Sequence, residues 1–229
     1  MKIKIIHDPQ KATGIAIIID VFRAFTVEPI IIKNGAKKLI VIGDKEIAYN
    51  LKKENSNYIL IGERNGIKLP EFDYGNSQSQ IVKVNFTNKV VVHTTSCGTQ
   101  GIVNSINAKE IITGSLVNIS AIVKYIRNRG YDDISIVTLA KPGSNPFEED
   151  QLCAEYIKAK LENKSTDEFN TRILNLKYTS GAKFFDDELQ EIYPKEDFYL
   201  CTDIDKYDFL LRAEKDEKGY YYMKKILVE

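Results

Sequence analysis

Five short runs of branched aliphatic residues constrain the fold of this chain most. They occupy residues 15–20, 38–42, 58–62, 89–93 and 133–139. Each is long enough for one strand, and none alternates cleanly between apolar and polar. Such runs read as strands buried on both faces, the signature of a parallel sheet. Shorter strands are expected at 2–7 and 109–113. Helical periodicity fills the intervals. Residues 44–55 place Ile47, Ala48 and Leu51 on one face, and 115–129 align Leu116, Ile119, Ile122, Val123 and Ile126, with Gly130 as a natural stop. Asn145 as N-cap and Pro146 in the first turn, followed by Glu148, Glu149 and Asp150, open a further helix.

Strands alternating with helices predict an α/β layered domain over residues 1–165, a mostly parallel central sheet with helices on both faces. The pattern changes after Leu161. Residues 162–168 are polar and read as a linker or surface loop, and 209–213 and 220–228 read as antiparallel strands joined by the charged turn 214–219. The expectation is a smaller C-terminal α+β portion, residues 166–229, that ends in a β-hairpin and packs on the core.

Charge and cysteine usage exclude several function classes. Lys plus Arg and Asp plus Glu each total 32, a formal net charge of zero, which argues against a nucleic-acid partner held by a global positive field. No apolar run approaches the ~20 residues of a membrane span, and the N-terminus has no cleavable signal pattern. Cys97, Cys153 and Cys201 are odd in number and far apart, so they form neither a disulfide framework nor a zinc ribbon. A cytoplasmic protein without a membrane partner is expected, and a homodimer is allowed for. The two histidines, His7 and His93, belong to no zincin motif and read as structural.

Four of the apolar runs end in polar clusters. Asp20 is followed by Arg23 and Thr26, and Gly62 to Gly66 carry Glu63 and Arg64. Thr94 to Thr99 hold Ser96, Cys97 and Gly98, and Ala140 to Gly143 lead to Glu149 and Asp150. In an open parallel sheet the C-terminal strand ends share one edge, where ligands bind, so the clusters are expected to converge. Arginines with a hydroxyl-rich glycine loop suit phosphate or sulfonate. Carboxylates without histidine or cysteine partners suit a hard cation, Mg²⁺ first. Together they suggest phosphoryl chemistry on a small anionic substrate.

Each piece also has an ordinary structural reading. Asp20 is equally a cap for the next turn, the Thr/Ser loop equally a helix cap, and acids belong at helix N-termini on dipole grounds. Familiar phosphatase signatures fail. Phe22 stands where a haloacid-dehalogenase strand has its second Asp, and Val103 where a cysteine phosphatase has its Arg. No nucleotide phosphate loop is present.

Five segments do match one family. Asp20-Val21-Phe22-Arg23-Ala24-Phe25-Thr26, Gly62-Glu63-Arg64-Asn65-Gly66, Asp73-Tyr74-Gly75-Asn76-Ser77, Thr95-Ser96-Cys97-Gly98-Thr99 and the pair Glu149-Asp150 together resemble the 2-phosphosulfolactate phosphatase family. Gln78 stands where the pattern has Pro, and Asn65 where it has Gly. The resemblance implies Mg²⁺-dependent hydrolysis of 2-phospho-3-sulfolactate to 3-sulfolactate and phosphate, a step in coenzyme M synthesis. It implies that Arg23 and Arg64 hold the phosphate or sulfonate and that Asn76 and Ser77 add neutral donors. Thr95, Ser96, Gly98 and Thr99 would form an oxyanion loop. Asp20, Glu149 and Asp150 would be metal ligands, and Glu63 a ligand or general base. Water, Asp20 and Cys97 stay open as nucleophile. The alternatives are a phosphatase for another phosphorylated hydroxy acid, and a non-catalytic sulfonate or phosphate binder. Clustered carboxylates would repel the ligand of the latter unless a metal inverts the field.

Overall fold

A computed structural model describes residues 1–140 and 144–229. Lys141, Pro142 and Gly143, expected to follow the fifth run, lie outside the described residues. In chain order the first half comprises β1 (Lys2–Ile6), β2 (Ile15–Ile19), α1 (Ala24–Lys33), β3 (Lys38–Val41), α2 (Lys45–Glu54), β4 (Ile59–Arg64), β5 (Ile67–Lys68), α3 (Gln78–Ile81), β6 (Val90–Thr94) and α4 (Gly98–Asn104). The second half comprises β7 (Glu110–Gly114), α5 (Ile119–Arg129), β8 (Asp133–Thr138), α6 (Glu148–Leu161), α7 (Phe169–Asn175), α8 (Lys195–Cys201), β9 (Phe209–Lys215) and β10 (Tyr221–Leu227). All five apolar runs are strands. Among the described residues no helix is long and apolar enough to cross a membrane.

The reason for the unbroken apolar runs is visible in β2, whose five residues are all 0% exposed. Ile15, Ile17 and Ile19 pack against α5 and α6, while Ala16 and Ile18 pack against α1 and α4 on the opposite face. Helices therefore cover both faces of a mostly parallel sheet, the α/β layered arrangement. α6 begins later than its sequence suggests. Phe147, not Asn145, is the N-cap, because the Phe147 amide donates to Leu139 O (3.2 Å) and keeps the chain extended beside the end of β8.

The strand order is β1-β8-β2-β7-β9-β10-β3-β6-β4-β5. The C-terminal hairpin thus corrects one expectation: it does not pack on a finished core but fills the middle of the sheet. Leu210 faces the α5/α6 layer, and Phe209 and Leu211 the α1 layer, so the start of β9 is buried on both sides, whereas in β10 Met223 is the buried residue and Lys224, Lys225 and Leu227 are exposed.

That insertion also changes how the strand ends meet. β7–β9, β9–β10 and β10–β3 are successive antiparallel pairings. The parallel blocks β1-β8-β2-β7 and β3-β6-β4 consequently run in opposite senses, and no common parallel edge unites their ends. Twist supplies the closure instead. At about 20–25° per strand pair it accumulates to roughly 100° or more between β2 and β6 and turns the end of β6 back toward the end of β2. Both blocks pack on one helix: Ile18 of β2 and Leu39, Val41, Ile61 and Val91 of the other block share a core with Phe25, Val27 and Ile31 of α1.

Candidate active site

The strand ends meet in a cleft of about 650 Å³, its open mouth included. Asp20 enters after β2, Glu63 from the end of β4, Ser96 and Cys97 from the loop after β6, and Glu149 and Asp150 from the start of α6. β4 turns into β5 through Asn65 and Gly66, at φ 55 and 85. This is the two-residue Asn-Gly hairpin turn that needs left-handed backbone at both positions, and it accounts for Asn65 at its place in the motif.

Asp20 joins two roles. Its Oδ1 accepts from the Ala24 amide at 2.9 Å, capping the start of α1. Its Oδ2 faces α4 so closely that a Cβ built on Gly98 would lie 2.7 Å away. Burial pushes the Asp20 pKa up to about 7, against the opposing Ala24 hydrogen bond, and repulsion from Glu63, Glu149 and Glu28 adds to it. Asp150 is likewise held well above its ordinary range by burial, then by Asp20 and Glu149, while the Val21 amide and Lys183 oppose the shift. Val21 N donates to Asp150 Oδ1 at 2.8 Å and ties the start of α6 to the end of β2. Glu149 is 2% exposed, and its Oε2 has no hydrogen-bond partner among the described residues. Three buried acids with an orphaned oxygen are costly unless protons or a cation balance them.

Among the described residues, no group of three His, Cys, Asp or Glu side chains stands at metal-holding geometry. Mg²⁺ does not need such a cage, because it is commonly held by one or two carboxylates, water and substrate phosphate. The orphaned Glu149 Oε2 and the electrostatically strained Asp20 are donors of that kind, so the residues fit this ion.

The structure commits both arginines elsewhere. Arg23 lines the cleft and is 3% exposed, but its Nη1 donates to Asp197 Oδ2 (2.9 Å) and Ile192 O (2.8 Å). It lies 4.9 Å from the centre of the Tyr193 ring. Its charge is largely balanced by a buried carboxylate from α8. Arg64 leaves the cleft altogether. Its guanidinium donates to Glu63 O, Gly43 O and Thr94 Oγ1 at 2.7–2.9 Å and opens on a separate groove beside Gln100. The physical reason is β-strand alternation: Glu63 points into the cleft, so its neighbour Arg64 points away.

Several polar residues, inside the cleft and beside it, are engaged in bracing the loops. Glu63 Oε1 accepts from Ser96 N (2.6 Å), and Oε2 accepts from Gly66 N (2.6 Å) and Ser96 Oγ (3.0 Å). Glu63 is thus a brace between the β4–β5 turn and the β6–α4 loop, with both oxygens engaged. Thr95 and Thr99 close on each other: Thr99 N donates to Thr95 Oγ1 (3.1 Å) and Thr95 N to Thr99 Oγ1 (2.9 Å). Neither they nor Ser77, whose hydroxyl bonds Ser79 Oγ at 3.2 Å, lines the cleft. Of the expected oxyanion loop, Ser96 lines the cleft and Gly98 supplies the close approach to Asp20; the candidate nucleophile Cys97 lines the cleft between them. Asn76 also lines the cleft, hydrogen-bonded from behind by His93.

Three contributors from the C-terminal third carry no motif. Lys183 and Tyr193 line the cleft, and Asp197 neutralises Arg23. Lys183 Nζ lies 5.3–5.7 Å from the ring centres of Phe22, Phe184 and Tyr193. One cation beside Phe184 and Phe185 is the only local signal the sequence offers.

The chain matches the model of the family described as 2-phosphosulpholactate phosphatase over residues 3–216. It is 39% identical over 155 residues to a Thermoplasma volcanium protein named "Probable 2-phosphosulfolactate phosphatase", covering 68% of this chain and 71% of that one. Proteins of the same name from Bacillus subtilis and Caldanaerobacter subterraneus are 29% identical over 210 residues and 31% identical over 220. Those similarities span 92% and 90% of this chain, and 91% and 90% of the relatives.

Proposed function

The chain belongs to the 2-phosphosulpholactate phosphatase family and is a phosphoric monoester hydrolase, and we propose on that premise that it hydrolyses 2-phospho-3-sulfolactate to 3-sulfolactate and phosphate with Mg²⁺. The reaction is then of the coenzyme M biosynthesis type, and three cysteines outside any disulfide accord with a cytoplasmic setting. The observation that carries the reading is one cleft holding Asp20, Glu149 and Asp150, all nearly buried, opposite Lys183.

In this reading Asp20 and Glu149 hold the ion, and Asp150 fixes the β2–α1 turn beside them. Bound there, Mg²⁺ supplies positive charge for the phosphoryl oxygens and the departing alkoxide. Lys183, walled by aromatic rings, holds the second anion of the substrate, where a low local dielectric strengthens the pair. Asn76 supplies a neutral donor that binds without adding charge, and Ser96, whose amide and hydroxyl both donate to Glu63, shapes the wall beside it. The attacking group is water rather than Cys97. The one nearby histidine that would activate a thiol, His93, has both ring nitrogens engaged by Glu28 and Asn76.

The test is phosphate release from a panel of phosphorylated hydroxy acids with Mg²⁺, with EDTA, and after Mg²⁺ is restored. Fastest turnover on 2-phospho-3-sulfolactate, lost in EDTA and recovered with Mg²⁺, supports the assignment. Turnover that survives EDTA, or a faster substrate without a sulfonate, rejects it.

A further inference from the structure

Beneath the cleft floor lies a polar chain that the proposed chemistry does not use. Glu28 stands in the middle of α1, His93 on β6, and both are 0% exposed. His93 is flanked in the sheet by Val41 and Ile61, so its ring stands among apolar strands. Its Nδ1 lies 3.0 Å from Glu28 Oε1, and its Nε2 lies 3.2 Å from Asn76 Oδ1. Asn76 is 5% exposed and lines the cleft. An acid and an imidazole are rarely buried together without a task, because each costs desolvation.

We propose that the buried Glu28–His93 pair is a positioning device that holds Asn76 with its amide NH₂ turned into the cleft, as a neutral donor to the substrate's anionic oxygens.

The proton count supports that orientation. A net-neutral pair takes two forms, carboxylic acid with neutral imidazole or carboxylate with imidazolium. With the bridging proton shared between Oε1 and Nδ1, both forms leave a proton on Nε2; the other neutral tautomer, Nδ1–H facing Oε1, would strand the acid's O–H on Oε2, which has no partner among the described residues. The remaining form, a carboxylate facing Nδ1–H, leaves a net negative charge at a fully buried site where Glu28 Oε2 has no partner among the described residues. Burial, opposed by His93, raises the Glu28 carboxyl above its ordinary value, which points the same way. With a proton on Nε2, Asn76 Oδ1 is the acceptor and Nδ2 is left to the cleft. The reverse orientation would aim a carbonyl oxygen at a phosphate or sulfonate, which only accept. His93 and Glu28 touch no substrate, so they act through Asn76.

The role of the donor rests on the phosphatase reading; the orientation of the amide does not. The experiment separates them. The chain has two histidines, so ¹⁵N-histidine NMR resolves the His93 ring. A proton on Nε2, and a shift of the Asn76 side-chain NH₂ resonances on adding inorganic phosphate, are the expected results. In kinetics on 2-phospho-3-sulfolactate, Glu28→Met should raise KM about tenfold with kcat nearly unchanged, the scale of one hydrogen bond to an anion. Glu28→Gln, whose amide can donate to Nδ1, should restore KM. An unprotonated Nε2 in the wild-type protein overturns the proposal even if the enzyme hydrolyses its expected substrate. So does an equal rise in KM for the Met and Gln variants. A different substrate with Nε2 protonated and the phosphate-induced shift intact leaves the positioning role standing and rejects only the substrate.

Discussion

Gly98→Ala tests the closure of the cleft most directly. A Cβ at this position would lie 2.7 Å from Asp20 Oδ2 and 2.8 Å from Ala24 Cβ. Ordinary carbon contacts need about 3.5–4.0 Å, so roughly 1 Å of space is missing. Neither neighbour can yield easily. Asp20 is held through Oδ1 by the Ala24 amide, and Ala24 Cβ is fixed to the first residue of α1. The start of α4 must therefore move away from Asp20, carrying Cys97 and Ser96 with it. Overpacking of this size costs about 1–3 kcal/mol, and alanine in a helix returns about 0.5–1 kcal/mol of that through backbone entropy. Displacement of reacting groups by about 1 Å can cost ~100-fold in rate, which is about 2.7 kcal/mol of barrier. Gly101→Ala in the same helix is the control. Its Cβ would press on Ile18 Cγ2 (2.5 Å) and Leu139 Cδ2 (3.1 Å), side-chain ends away from the cleft. Urea unfolding and steady-state phosphate release should show comparable destabilisation for the two variants. Only Gly98→Ala should lose about two orders of magnitude in kcat/KM, with Gly101→Ala within about threefold of wild type. Equal activity in both variants would refute the claim that the Asp20–Gly98 contact sets the geometry of the site.

Asp20→Asn should abolish Mg²⁺-dependent turnover and flatten the pH dependence of stability. The folded pKa is raised from 3.8 to about 7, so the metal-free wild type should lose stability as pH rises through that interval, and the variant should lose less. Parallel urea midpoints for the two proteins from about pH 4 to 8 would contradict this. Lys183→Ala should raise KM for the doubly anionic substrate about tenfold or more. Arg64→Lys should leave KM within about twofold and lower the melting temperature instead, because Arg64 bonds Gly43 O and Thr94 Oγ1 outside the cleft. The reverse pattern in the same kinetic assay would return Arg64 to the substrate. Cys97→Ser should cost only a few-fold in kcat, and mass spectrometry should find no phosphate on Cys97 during turnover.

Much of the local structure is legible in the sequence because it depends on neighbours. A strand buried on both faces must be apolar throughout, which is why 15–20 and 133–139 read correctly as strands. Gly130 ends α5 in the left-handed conformation at φ 65, as a glycine stop requires. The residue types of the cleft were legible in the same way, since an aspartate at a strand end and acids opening a helix are local patterns. Tertiary structure decided direction and partnership. Apolar content says that a strand is buried but not which way its neighbours run, and only the hairpin inserted between β7 and β3 sets the two parallel blocks in opposite senses. Likewise, a guanidinium near a glycine loop looks free until its partner is known. Asp197, 174 residues further along, claims Arg23, while strand alternation turns Arg64 to the other side. Lys183 entered the cleft because the segment that carries it packs over Phe22. Periodicity and residue type are short-range information. Which charge neutralises which is a long-range outcome of packing, and it determined which cations remain for the substrate.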